Sequence, residues 1–443
     1  SRRLHRAVRL YLSDLHTGRL DPQQLGMRYD PAHRSDFDAD ALLLAALADE
    51  RLAEAMRSAA PAWPQYDALR QTLARYRRLV DDPAWQKNLP PIPGGSLSPG
   101  QQYAGLALLQ QRLLLLGDLE PTTNRVPERY QGTLVDAVKS FQARHGVTPD
   151  GVIGRDSFEQ LNIGPAARVS QIGLAMERLR WTPLPLAPRA IVVNVPEFML
   201  HGYEMHAGKS ETRLAMKVIV GTARKTQTPL FDAEMRFIEF SPYWNVPPSI
   251  ARGETLPRLR RDPGYFDRQG FELVGSDGRV VGSLSEAGIA AVQAGQMRIR
   301  QRPGASNALG SIKFVFPNQD NIYLHHTPTP QLFKRPRRDY SHGCIRVEEP
   351  LQLAKFVLAD APGWTETRID EAMRRGRSTT LRLDEPLPVI IAYWTTVVRD
   401  GRLHFLPDLY GLDARLEEAL QKRPRALQAS HETEIPAESR PSR

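Results

Sequence analysis

The chain has 443 residues, 41% of them hydrophobic and 25% charged, which is the make-up of an ordinary globular protein with room for two to four domains. Net charge is +9, from 59 Lys and Arg against 50 Asp and Glu. The basic residues are scattered and no helix-turn-helix, zinc-finger or RNA-binding signature accompanies them. This excludes a nucleic-acid reader and leaves attraction to an acidic polymer or a solvated basic surface. No run approaches the roughly 20 apolar residues that span a bilayer; the longest candidate, 41–47, is far shorter. A single Cys excludes an intramolecular disulfide. The His residues lack zinc spacing, and there is neither a phosphate-cradling Gly loop nor a dinucleotide fingerprint, so no metal or cofactor is expected.

From the N-terminus the pattern is helical. Leu4, Val8 and Tyr11-Leu12 recur at helical spacing, Asp40 to Met56 is rich in Ala and Leu without Gly or Pro, and Asp67 to Val80 is amphipathic and Arg-rich. Asn88 to Gly100, dense in Pro and Gly, reads as a linker. Leu106, Leu109 and Leu113 form the next helical stripe, and Val135, Val138, Phe141 and Gln142 another. Pro149-Asp150-Gly151 is a turn, after which Asp156 is placed to cap a helix carrying Phe158 and Leu161. A helix over 166–180 is expected to pack back on the N-terminal helices, leaving 101–164 as an insertion between them.

At Arg189 the period changes to two. Strands are expected over 190–194, 198–203, 215–220 and 234–240, without long helices between them, which argues for an antiparallel β core. Tyr243-Trp244-Asn245-Val246-Pro247-Pro248 follows, with Trp244 either a packed core aromatic or the wall of a groove. Residues 249–303 interrupt the β pattern and are Arg-rich, carrying Arg252, Arg258, Arg260, Arg261, Arg298, Arg300 and Arg302. Strands then resume at 312–316 and 321–325. A short helix over 350–358 and a hairpin of 389–398 with 402–405 around Asp400-Gly401 come next. Beyond about residue 424 the chain is polar and expected to be disordered.

The chemistry concentrates in Tyr340-Ser341-His342-Gly343-Cys344-Ile345-Arg346-Val347. The lone Cys344 is either a buried filler or a reactive thiol, and its neighbours favour the thiol. Gly343 allows a sharp turn whose amides can face an oxyanion, and His342 and Arg346 bring charge of the kind that lowers a thiol pKa. A base comes from Asn321-Ile322-Tyr323-Leu324-His325. Alternation puts Ile322 and Leu324 toward the core and Tyr323 and His325 on the other face, which prefers His325 over His326. The loop between His325 and Cys344 is long enough to fold the imidazole back onto the thiol.

His325, fifteen residues, then Ser341-His342-Gly343-Cys344-Ile345-Arg346 resembles the signature of the L,D-transpeptidases, the YkuD-like cysteine enzymes that cross-link bacterial peptidoglycan. His326, at fourteen intervening residues, also fits that spacing; Tyr-Leu-His followed by Thr-Pro is similar to the large Gram-negative members and favours His325. Arg346 stands where many members carry Asn, which resembles the same large branch. Ser13 to Gly18 is similar to that branch's helical scaffold, and Phe141 to Gly154 resembles the peptidoglycan-binding type 1 module.

The resemblance implies a multidomain α+β chain. It comprises a helical scaffold (1–100, with 165–182 packing back) and a three-helix module (101–164). A mainly antiparallel β catalytic domain (183–412) follows, with an inserted capping subdomain (249–303) over the site, and then a C-terminal helix and tail (413–443). It implies Cys344 as nucleophile, His325 as general base and acid, and His342 and Gly343 as oxyanion or site-shaping residues. Arg346, Tyr323, Tyr340, Ser341, Trp244 and Asn245 fall to substrate binding. The implied partners are peptidoglycan stem peptides and other cell-wall synthases, in the periplasm of a Gram-negative bacterium, with an upstream export signal or anchor. A 3–3 cross-link through a thioester is the expected product. Hydrolysis, lipoprotein attachment and a non-catalytic wall-binding scaffold remain the alternatives.

Overall fold

The computed structural model describes residues 2–31, 36–121, 126–183, 187–206 and 209–422. Two compact units emerge, one formed by the chain up to residue 184 and from 393 onward, the other by 185–392.

The first unit is helical. Helices α1 (Arg2–Thr17), α2 (Ala39–Ala48), α3 (Leu52–Ala59) and α4 (Pro64–Arg78) open it. The expected single Ala/Leu-rich helix is two, because Glu50 takes a positive φ of 56° between them. Leu12, Leu43 and Ala59 form a small core there, and His16 stacks on Phe37 and bonds the Ala59 carbonyl at 3.1 Å. Helices α5 (Leu106–Leu116), α6 (Thr133–Arg144) and α7 (Arg155–Asn162) follow, burying Leu109, Leu113, Val138, Phe141 and Leu161. Fully buried Gln142 organises the turn before α7. Its Oε1 accepts from the Gly151 amide at 2.9 Å while its Nε2 donates to the Val152 carbonyl and the Ser157 hydroxyl. Gly154, not Asp156, occupies the N-cap of α7, so Asp156 sits in the first turn and complements the helix dipole instead. Helix α8 (Pro165–Trp181) packs against α4, with Arg180 donating to the Tyr66 hydroxyl.

The second unit is built on a nine-stranded, mostly antiparallel sheet. Its strands include β1 (Arg189–Asn194), β2 (Met199–His206), β3 (Lys209–Gly221) and β4 (Asp232–Phe240). Then comes an inserted piece that is not a mere excursion from the β pattern. It has its own four-stranded sheet of β5 (Trp244–Asn245), β6 (Phe271–Gly275), β7 (Val280–Val281) and β8 (Met297–Gln301). Helical segments Ala251–Thr255, a π-helical turn, and α9 (Leu256–Arg261) and α10 (Glu286–Gln293) cover it. Leu256, Leu259, Phe266, Phe271, Leu273 and Ile299 give the insertion a core of its own. The main sheet resumes with β9 (Ile312–Val315), β10 (Leu324–His325), β11 (Asp339–Ser341) and β12 (Ile345–Val347). After helices α11 (Pro350–Val357) and α12 (Glu366–Arg374), β13 (Thr379–Ala392) completes it. Because β2 pairs with β1 on one side and β3 on the other, the ladder returns on itself and leaves little open edge.

The apolar run 389–398, expected as one arm of a hairpin, divides between two sheets. Val389 to Ala392 pair parallel with β1, whereas the hairpin is β14 (Thr396–Arg399) with β15 (Arg402–Phe405), in the helical unit. Helix α13 (Leu412–Lys422) ends the described chain, and the tail expected to be disordered lies outside the described residues. Replacing Gln142 with Ala leaves the buried Gly151 amide unmatched; we expect a loss of about 2 kcal/mol, read as a lower urea midpoint for unfolding of the helical unit by circular dichroism.

Candidate active site

Strands β10 and β12 lie side by side and parallel, with Leu324 opposite Ile345 and His325 opposite Arg346. Leu324, Ile345 and Val347 are fully buried on one face. Alternation therefore sends Tyr323 and His325 of one strand, and Cys344 and Arg346 of the other, to the same opposite face. The Ile345 amide donates to the Tyr323 carbonyl at 3.1 Å, which fixes Cys344 beside Tyr323.

Cys344 is half-buried. Its Sγ lies 3.6 Å from the Asn321 carbonyl, and Tyr323 stands close enough to act on the thiol pKa. Asn321 takes a positive φ of 53° in a turn bracketed by Asn318, whose side chain accepts from the Asp320 and Ile322 amides and donates to the Phe316 and Ile322 carbonyls. The expectation that neighbouring charge would lower the thiol pKa does not hold. Burial pushes it up, and the Tyr323 hydrogen bonds, Lys313 and Arg346 offset that only in part.

His325 is 5% exposed, and its Nδ1 lies 2.5 Å from the His326 carbonyl oxygen. A carbonyl only accepts, so Nδ1 carries the proton and Nε2 keeps its lone pair, the tautomer a base requires. Burial first, then the Arg346 charge, holds the imidazole pKa at about 3. Burial thus opposes charge on the thiol and on the imidazole alike. His326 is engaged differently. Its Nδ1 accepts from the Ser311 amide at 3.2 Å, and its ring fills the space beside Gly310, where a Cβ would fall 2.5 Å from Nδ1.

The loop holding Cys344 is fastened by main-chain groups. The Ser341 carbonyl accepts from the Thr222 amide and the Thr226 hydroxyl, and the buried Thr228 hydroxyl donates to the Gly343 carbonyl at 2.8 Å. Gly343 has a φ of +113°, which only glycine adopts without strain. Its amide, expected among the oxyanion donors, already donates to Ser341 Oγ at 3.1 Å. His342 is exposed and turns away from the sheet, its Nε2 2.6 Å from Glu254 Oε1 in the π-helical turn of the insertion.

Of the residues expected at the substrate, Tyr323 and Arg346 stand with the thiol, and Arg346 Nε is buried without a partner among the described residues. Trp244 packs on the core of the insertion, as a core aromatic would. Asn245 accepts from Arg298 within the insertion, and Tyr340 lies under Arg335. Asn321, Thr228, Lys313 and Glu254 were not singled out from the sequence as site residues. Asn318 to Asn321 reads as a turn that could have signalled the first, whereas Glu254 lies 88 residues from His342 and has no local signal.

Residues 188–391 match the family model of the L,D-transpeptidase catalytic domain (YkuD), residues 2–73 that of the scaffold domain, and residues 102–161 that described as "Putative peptidoglycan binding domain". Three segments of the chain are thus similar to the YkuD-type L,D-transpeptidase catalytic domain, the scaffold domain and the putative peptidoglycan-binding domain. A curated relative from Haemophilus influenzae, described as "Putative L,D-transpeptidase", is 34% identical over 254 residues, 57% of this chain and 50% of the relative; the chain spans about half the length of that relative. Among solved structures, the L,D-transpeptidase from Xylanimonas cellulosilytica aligns with 68% of this chain and 99% of its own at 14% identity and a TM-score of 0.20. A fused Zn-dependent amidase/peptidase/peptidoglycan-binding domain-containing protein from Clostridium acetobutylicum aligns with 32% of this chain and 69% of its own, at 11% identity and a TM-score of 0.14.

The depressed pKa of His325 has a consequence for stability. The unfolded imidazole titrates near 6.5, so the stability this buried neutral ring contributes is complete above that pH and is lost as pH falls toward about 3. Between pH 6.5 and 4 the melting temperature of the wild type should therefore fall more steeply than that of His325→Asn, measured by calorimetry.

Proposed function

We propose that this protein is an L,D-transpeptidase that acts on peptidoglycan stem peptides outside the cytoplasm through a thioester on Cys344. The observation that carries the reading is the hydrogen bond from His325 Nδ1 to the His326 carbonyl, which leaves Nε2 unprotonated on the face that carries the half-buried thiol.

In this reading His325 Nε2 takes the thiol proton as the sulfur attacks the carbonyl carbon of an L,D peptide bond, between diaminopimelate and the terminal D-Ala. The main-chain amides of His342 and Cys344 face the tetrahedral oxyanion; one such donor is typically worth about 3 kcal/mol. As the C–N bond breaks, the imidazolium returns its proton to the departing D-Ala amine, and a thioester remains. The side-chain amine of a second diaminopimelate then attacks the thioester and gives up a proton to His325, and the regenerated thiol leaves a 3–3 cross-link. The thiol pKa raised by burial suits this order, because the proton leaves only when the substrate is in place. Arg346, with its Nε unpartnered, is the cation for a stem carboxylate. The peptidoglycan-binding segment is the proposed wall contact, and the insertion, through Glu254 and His342, covers the thiol side of the site.

Incubation with a tetrapeptide stem or a carbapenem followed by intact-protein mass spectrometry should show one covalent adduct, absent in Cys344→Ala. Lack of any adduct on the wild type would sink the enzymatic reading. With an acceptor stem present, a cross-linked dimer supports transfer, whereas a tripeptide product alone reassigns the activity to hydrolysis.

A further inference from the structure

Across the sheet the strand register places Glu239 opposite Lys313, Lys313 opposite His325, and His325 opposite Arg346. Residues directly opposite one another share a face, so the row reads anion, cation, imidazole, cation. Lys313 has a side chain only 17% exposed, its Nζ 3.3 Å from Glu239 Oε2 and 4.5 Å from the centre of the Tyr323 ring. That same Tyr323, whose carbonyl accepts from the Ile345 amide, adjoins Cys344 and stands edge-on to the His325 ring at 5.6 Å. A lysine so placed has two fixed contacts, one of which borders the thiol directly.

We propose that Lys313 is a positioning residue for the Cys344 chemistry, its ammonium held by Glu239 and the Tyr323 ring where the charge favours a thiolate and opposes an imidazolium at His325. The proposal rests on the reading of Cys344 as nucleophile and His325 as its base. The charged and titratable groups around the pair are Glu239 from β4, Lys313 from β9, Tyr323 and His326 beside β10, and Arg346 from β12. Lys313 and Arg346 act in the same sense on the sulfur and on the ring, and Glu239 acts against Lys313. The row therefore makes opposite predictions for its two ends. Neutralising Lys313 makes the thiolate harder to form, and neutralising Glu239 makes it easier. A lysine serving only to pair with Glu239 in the sheet would leave the thiol unmoved.

The test reads the thiol without substrate. Alkylation of Cys344 by iodoacetamide, followed by intact mass against pH, gives an inflection for the full chain. In Lys313→Met that inflection should rise by about half a pH unit or more, with the rate at pH 7 falling about threefold or more. Lys313→Arg should restore it, and Glu239→Gln should move it down. An unchanged or lowered inflection in Lys313→Met overturns the proposal. Should Lys313→Met fail to fold by circular dichroism, the downward shift in Glu239→Gln decides, and its absence overturns the proposal. Failure of the catalytic reading appears separately, as a wild type that alkylates normally yet forms no adduct with the stem peptide.

Discussion

The site depends on two very short strands keeping one register. With Leu324 opposite Ile345 and His325 opposite Arg346, the period of two delivers an imidazole, a phenol, a thiol and a guanidinium to one face while aliphatic side chains fill the other. A slip of a single residue would send all four into the core and bring leucine and isoleucine to the surface. The register is held by neighbours on both flanks, since β9 pairs with β10 and β3 with β12 in the same continuous ladder. A sheet that returns on itself leaves these two strands little freedom to slide.

The electrostatics follow from burying that face. Desolvation disfavours every charged form, so it raises the thiol and lowers the imidazole. The cations along the row act on both groups in a way that favours thiolate without favouring imidazolium. Geometry fixes both groups: the His326 carbonyl holds the imidazole tautomer, and Thr226 and Thr228 hold the main chain of Ser341 and Gly343 beside the sulfur.

Much of this was legible in the chain itself, and the rest was not for identifiable reasons. Cys344, His325 and Tyr323 were visible because alternation and a turn glycine are local signals. Local spacing leans toward His325 over His326; the different surroundings of the two rings depend on Ser311 and Gly310, partners that spacing alone does not place. Glu254 was invisible because its partner is distant in sequence. Neither Gly nor Pro marks the break at Glu50, and the continuous hydrophobicity of the run ending in β14 does not say where one sheet stops. The Asp156 cap failed for a related reason, a glycine having already taken the position.

The solitary sulfur has a further chemical implication. Oxidation to a sulfenic acid is ordinarily rescued when a second thiol of the same protein condenses with it, and this chain contains one cysteine. Within these 443 residues no resolving thiol exists, so a thiol from elsewhere must reach a group flanked by a tyrosine ring and an asparagine carbonyl. Whatever shelters that sulfur from solvent also slows its rescue, so protection from damage and recovery from it pull in opposite directions at the same few atoms.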